Sequence, residues 1–163
     1  MGDGYRFKCK ECGHEYDVFL GIGFMFPKEY RKTVEEAASG KYGEEWKQLI
    51  NSQKYMDIDA EEALYTCDCG GWKVEKGLSI YAPIHPEKVA KSKFGIKTVE
   101  EWGYVPYVMH FDRPKRYKLV KEYKHMCDKC EKEMHKVSEG ETPNLSCPKC
   151  GCMNATKDKL LWD

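Results

Sequence analysis

Eight of the nine cysteines in this 163-residue sequence come as close pairs. Cys9 and Cys12, Cys127 and Cys130, and Cys147 and Cys150 are each separated by two residues, and Cys67 and Cys69 by one. Two thiolates on one tight turn can grip a single ion. A glycine behind the second sulfur relieves the backbone there, as Gly13, Gly70 and Gly151 do. Four thiolates suit a closed tetrahedral zinc site, with no position left for a substrate. "CDKC" and "CPKCG" stand 16 residues apart, inside the spacing known for such sites. One site is therefore expected from Cys127, Cys130, Cys147 and Cys150. A second is expected from Cys9, Cys12, Cys67 and Cys69, although 54 residues separate Cys12 from Cys67. His14 competes there for the place of Cys67 or Cys69. The expectation is two Zn2+ per chain, with Cys152 left over as a partly buried small side chain.

The surroundings of two pairs are alike. "YRFKCKECGHEY" and "YKHMCDKCEKEM" each carry a Tyr four residues before the first Cys and a Glu three residues after the second. These motifs resemble zinc-ribbon modules. In the C-terminal part the resemblance is carried by Cys127, Cys130, Cys147, Cys150 and Gly151. In the N-terminal part it is carried by Cys9, Cys12, Gly13, Cys67, Cys69 and Gly70, with a long insertion. "YRFKCKECGHEYD" also looks like the opening half of a rubredoxin and "CPKCG" like its closing half. That likeness implies iron as the alternative metal and a one-electron carrier as an alternative function.

The elements that must position these sulfurs can be read from periodicity. Tyr5 and Phe7 alternate with Arg6 and Lys8, the mark of a half-buried strand running into the first cysteine pair. Pro27 can open a helix that Gly40 ends, and Trp46, Leu49 and Ile50 share one face of another. In "MDIDAEEA", Asp59 with Glu62 reads as a helix cap. Helix is expected from Pro86 to Phe94, a capped turn at Thr98 and Glu101, and an extended edge segment around Pro106. The fold class is α+β: two small zinc ribbons, the first interrupted by a helical insertion at about 21–62. The domain scheme is 1–82, a connecting segment 83–112, and 113–163.

Hydrophobic residues make up 41% of the chain and charged residues 33%, so the core is thin and crosslinks must supplement it. Net charge is zero, so wholesale attraction to nucleic acid or an anionic membrane is not implied. No apolar run approaches 18 residues and no leader pattern follows Met1, so no membrane partner and a cytoplasmic location are expected. "RPKRYKLVKEYKH" reads as a basic strand with interleaved tyrosines, and Arg113, Lys115, Arg116, Lys118, Lys121 and Lys124 are its candidate nucleic-acid contacts. "GIGFMFP" offers Ile22, Phe24, Met25 and Phe26 as candidate contacts to a protein partner. No phosphate loop, nucleophile elbow or paired-carboxylate motif stands out, and His125 and His135 read as surface residues. The function expected is that of a non-enzymatic adaptor that binds a protein, with nucleic acid as the alternative partner.

Overall fold

The computed structural model describes residues 2–141 and 143–162. Along the chain, β1 (Gly2–Cys9) and β2 (Glu15–Leu20) are followed by α1 (Phe26–Ser39), α2 (Glu44–Ile50), β3 (Asp57–Ile58), β4 (Glu62–Thr66), β5 (Trp72–Lys76) and β6 (Ile80–Pro83). Then come α3 (Pro86–Lys91), β7 (Lys93–Phe94), β8 (Lys97–Thr98), α4 (Val99–Trp102), α5 (Arg113–Arg116), β9 (Tyr117–Lys121), β10 (His135–Lys136) and β11 (Ala155–Trp162). The fold is α+β with small antiparallel sheets. Its contacts divide the chain into two units. Unit 1 is Met1–Phe24, Glu61–Lys76 and Lys124–Asp163; unit 2 is Met25–Ala60 and Gly77–Tyr123. The chain thus leaves unit 1 twice and returns twice, instead of dividing in sequence at 82 and 112.

Unit 1 is built on two three-stranded sheets, ordered β11-β1-β2 and β10-β4-β5. The alternation in β1 places Phe7 and Cys9 in the core, while Arg6 on the other face forms a two-bond pair with Asp17 at 2.8 Å. Phe7 and Tyr16 are opposite in register and stack with ring centroids 5.2 Å apart. The residues of β4 divide between two cores, as a period of two requires. Leu64 packs with Phe7, Tyr16, Val18 and Leu145, whereas Ala63 and Tyr65 pack with Cys67, Cys127 and Met134. One strand therefore supports both cysteine clusters.

Unit 2 packs α1 and α2 with the sheet β3-β6-β9. Gly40 ends α1 in the left-handed conformation that only glycine adopts freely, and Thr98 with Glu101 forms a reciprocal capping box on α4. Ile58 and Ile80, opposite in register, are fully buried. The cap expected at Asp59 and Glu62 is absent, because both residues belong to extended segments: Asp59 follows β3 and Glu62 opens β4. Asp59 turns inward instead, its Oδ1 3.5 Å from Arg113 Nη1. The expected helix to Phe94 stops at Lys91, and Lys93–Phe94 turns into the β7–β8 hairpin at Gly95.

The stretch read as a basic strand from Arg113 splits into α5 and β9. Arg113 is only 4% exposed and donates through Nε to Asp57 Oδ2 at 2.7 Å. Tyr30 donates its hydroxyl to the other oxygen of Asp57 at 2.8 Å. A guanidinium with these partners is a core element and cannot serve as a nucleic-acid contact, which corrects that assignment for Arg113.

Candidate metal centres

Each cysteine pair sits where a chain reversal is already required. Cys9 and Cys12 occupy the β1–β2 turn, and Cys67 and Cys69 the β4–β5 turn. Cys127 and Cys130 lie in a small hairpin bridged by Met126 and Glu133, and Cys147 and Cys150 precede β11. In the three pairs with two intervening residues the first Cys donates its N–H to the carbonyl five positions on: Cys9 to His14, Cys127 to Lys132, and Cys147 to Cys152, at 2.8–2.9 Å. Its own carbonyl accepts from the residue after the second Cys, Gly13, Glu131 and Gly151 respectively. Those three residues have φ of 70°, 59° and 77°. The Cys67 turn is the same device shortened by one residue, with Cys67 N–H bonded to Gly71 O and Gly70 N–H to Cys67 O.

The sulfurs converge in two groups of four, Cys9–Cys12–Cys147–Cys150 and Cys67–Cys69–Cys127–Cys130, with all ligand atoms of a group within 4.8 Å of one another. This corrects the pairing expected from spacing. All eight cysteines are used, but the first pair meets the fourth and the second meets the third. The strands explain it. β1 pairs along its full length with β11, bringing the fourth turn to the first, while β10 pairs with β4 and brings the third turn to the second. Two discrete consecutive ribbons do not form. His14 stays outside the first cluster and serves it through its backbone carbonyl. Cys152 also stays outside, its sulfur accepting the Asn154 N–H at 3.4 Å.

The geometry suits a tetrahedral ion. Cys9 Sγ and Cys150 Sγ are 3.6 Å apart, Cys12 and Cys147 3.7 Å, Cys67 and Cys130 3.4 Å, and Cys69 and Cys127 3.6 Å. Four thiolates around zinc at about 2.3 Å stand roughly 3.8 Å from one another. A disulfide would require about 2.05 Å. Backbone amides prepare the charge. The N–H of Cys12 holds the Cys9 thiol down to about 7, and those of Lys129 and Cys130 do the same for Cys127. The amide of Cys152 pulls on Cys150 in the same direction. Desolvation and the sulfurs of Cys12, Cys9 and Cys147 nevertheless carry the Cys150 thiol up to about 12. Four crowded sulfurs therefore need a cation if all are to ionise. At the second cluster the backbone itself closes in: a Cβ at Gly71 would lie 2.9 Å from Cys127 Sγ and 3.5 Å from Cys69 Sγ.

Nearby, His125 is buried, which corrects its reading as a surface residue. Its Nδ1 lies 2.9 Å from Glu75 Oε2 and its ring is 3.9 Å from that of Tyr65. His135 is exposed. Of the apolar candidates, Phe24 and Met25 are exposed at 64% and 60%, Phe26 is half-buried, and Ile22 is buried. Of the basic ones, Lys115, Arg116, Lys118, Lys121 and Lys124 are exposed, but Lys115 pairs with Asp112, Lys121 with Glu45 and Lys124 with Glu133. No helix among the described residues is long and apolar enough to cross a membrane. Comparison with protein-family models, curated proteins and solved structures finds no match to this chain.

Proposed function

We propose that this protein is a non-enzymatic binding module, held together by two structural zinc ions, that acts as an adaptor contacting another protein. The observation that carries the reading is the pair of four-sulfur clusters. A site with four thiolate ligands has no open position for a substrate, so its ion contributes folding energy rather than chemistry. Cys9, Cys12, Cys147 and Cys150 would hold one ion, and Cys67, Cys69, Cys127 and Cys130 the other. Exposed Phe24 and Met25 support a protein partner. A nucleic-acid partner has less support, because Lys115, Lys121 and Lys124 are already paired with acids and Arg113 is buried.

Metal analysis on double variants tests the scaffold and its pairing together. Cys12→Ser with Cys147→Ser should lose one zinc equivalent and keep one; Cys130→Ser with Cys147→Ser should lose both. The reverse result would restore consecutive pairing. A red, iron-containing protein, or fewer than about two metal equivalents in the wild type, would sink the zinc reading.

A further inference from the structure

Unit 2 contains a cavity of about 70 Å³ that no part of the metal scaffold uses. Val89, Val99, Val105, Val108 and Phe94 are among its apolar walls, and Lys93, Arg116 and Tyr117 also line it. Its volume holds roughly two groups of about 30 Å³ each, the branch of a short aliphatic side chain. It is too small for a metabolite-sized ligand, whose pockets run to about 300 Å³ or more.

Three polar groups at this cavity lack partners. Tyr117 is 3% exposed, yet its hydroxyl makes no hydrogen bond to any described residue. Burial and the nearby Asp57 push that phenol up, while the charge of Arg116 acts in the opposite direction, so Arg116 is electrostatically close to it. Lys93 and Arg116 form no ion pair with any described residue. A phenol donor at the cavity mouth and two exposed, uncompensated cations beside an apolar hole are complementary to one kind of group, a carboxylate carrying a short aliphatic branch.

We propose that this cavity captures the C-terminal residue of a partner protein. An aliphatic side chain enters among the valines, and the terminal carboxylate accepts from the Tyr117 hydroxyl and pairs with Arg116 and Lys93. A free short acid has the same chemistry. A chain terminus is favoured because apolar surface continues past the cavity through exposed Phe94 and Trp102 to Ile96, which is 92% exposed at the tip of the β7–β8 hairpin. That rim is fixed: Trp102 donates through Nε1 to Phe94 O at 2.9 Å, and the capping box holds α4 beside it. Residues preceding a bound terminus would cover this surface, and a lone acid would leave it wet.

The proposal rests on the protein-binding reading and is tested on the full zinc-loaded chain. The 15N-labelled protein is titrated with the peptide Ac-Ala-Glu-Ala-Val as free acid, as carboxamide, and with glycine in place of valine. Isovalerate is run alongside. The free acid should shift amides of Val89, Val99, Val108 and Tyr117. The carboxamide and the glycine-ended peptide should bind about 10- to 100-fold more weakly, the loss expected when a charge-assisted contact or the apolar anchor is removed. Lys93→Gln with Arg116→Gln should weaken the free acid by a similar factor. Tyr117→Phe should weaken it while leaving thermal stability unchanged, because its hydroxyl has no intramolecular partner to lose.

Equal binding of acid and carboxamide, or no shifts at these residues at about 5 mM peptide, would overturn the proposal. Isovalerate binding as tightly as the peptide would overturn it in favour of a small-acid site. Displacement of the peptide by an oligonucleotide would overturn it in favour of a nucleic-acid surface. Zinc content is read in every arm, so failure here with two equivalents still bound leaves the scaffold reading intact.

Discussion

All nine cysteines of the chain lie in unit 1, whereas unit 2 has none and is built around Asp57 and Arg113. The two units are held together with different chemistry. In unit 1, four sulfurs per cluster tie sequence-distant turns together, and the cores around them are small groups such as Ala63, Tyr65 and Met134. In unit 2 the buried guanidinium of Arg113 joins Asp57, Asp59 and the carbonyl of Val108, and lies 4.8 Å from the Tyr81 ring. Such a network is costly to desolvate and strongly destabilising when only one partner is removed. A thiolate cluster instead concentrates its stabilisation in an ion that can be withdrawn. The two units should therefore fail under different insults.

Withdrawing metal should produce the largest effect. Structural zinc contributes apparent binding energies on the order of 10–16 kcal/mol per site. Strong chelation should abolish hydrogen-exchange protection in β1, β2 and β4 while α1 and β6 keep theirs. Uniform loss across both units would break the distinction.

Next in size, Asp57→Ala should cost about 3–5 kcal/mol in urea unfolding, since it strips a buried guanidinium of its closest carboxylate. Zinc content should stay at two equivalents. By contrast, Arg6→Ala removes an exposed, solvent-screened pair and should cost far less. Similar losses from the two substitutions would show that burial does not set the cost.

A smaller effect separates the clusters from each other. Gly71→Ala would press a methyl group onto Cys127 and Cys69, and should weaken zinc at that cluster by about 10–100-fold, the range for changes immediately around a metal's ligands. Competition with a chromophoric chelator reads this directly. Release of both ions in one step would mean that the clusters are not separable.

The smallest change should be a gain. Glu131 stands at φ 59° where the other three cysteine turns have glycine. Glu131→Gly should therefore stabilise the protein by up to about 1 kcal/mol, because a side chain in the left-handed region carries a steric cost that glycine avoids. A lower melting temperature in the variant would count against that account.

Local features of the molecule were legible in the sequence. Gly40 closes α1 and Thr98 pairs with Glu101 as expected, because caps involve residues three or four positions apart. Each cysteine turn was recognisable for the same reason. Which turn meets which was not, since that depends on β11 returning to β1, and the 16-residue spacing of Cys130 and Cys147 mimics a compact ribbon. Arg113 misled similarly: its neighbours along the chain are basic and solvated, while the carboxylate that buries it is 56 positions away. Asp59 and Glu62 have the residue types of a cap, but Asp59 is drawn to Arg113 and Glu62 pairs with Lys76 across β4 and β5.

The nested order of the clusters also sets a schedule for a chain emerging from the ribosome. Cys12 and Cys147 are 135 positions apart, and Cys69 and Cys127 are 58. At about 5–20 residues per second, the inner cluster can close roughly 3–12 seconds after its first turn emerges, while the outer pair waits about 7–27 seconds. Throughout that wait Cys9 and Cys12 are nascent thiols whose native partners have not been translated, and Cys67 and Cys69 are the first alternative to arrive. Consecutive ligation, wrong for the finished protein, is thus the earliest arrangement a metal ion can find. Reaching the native one requires either that the metal stays scarce until Cys150 has been made or that the early complex exchanges its ligands.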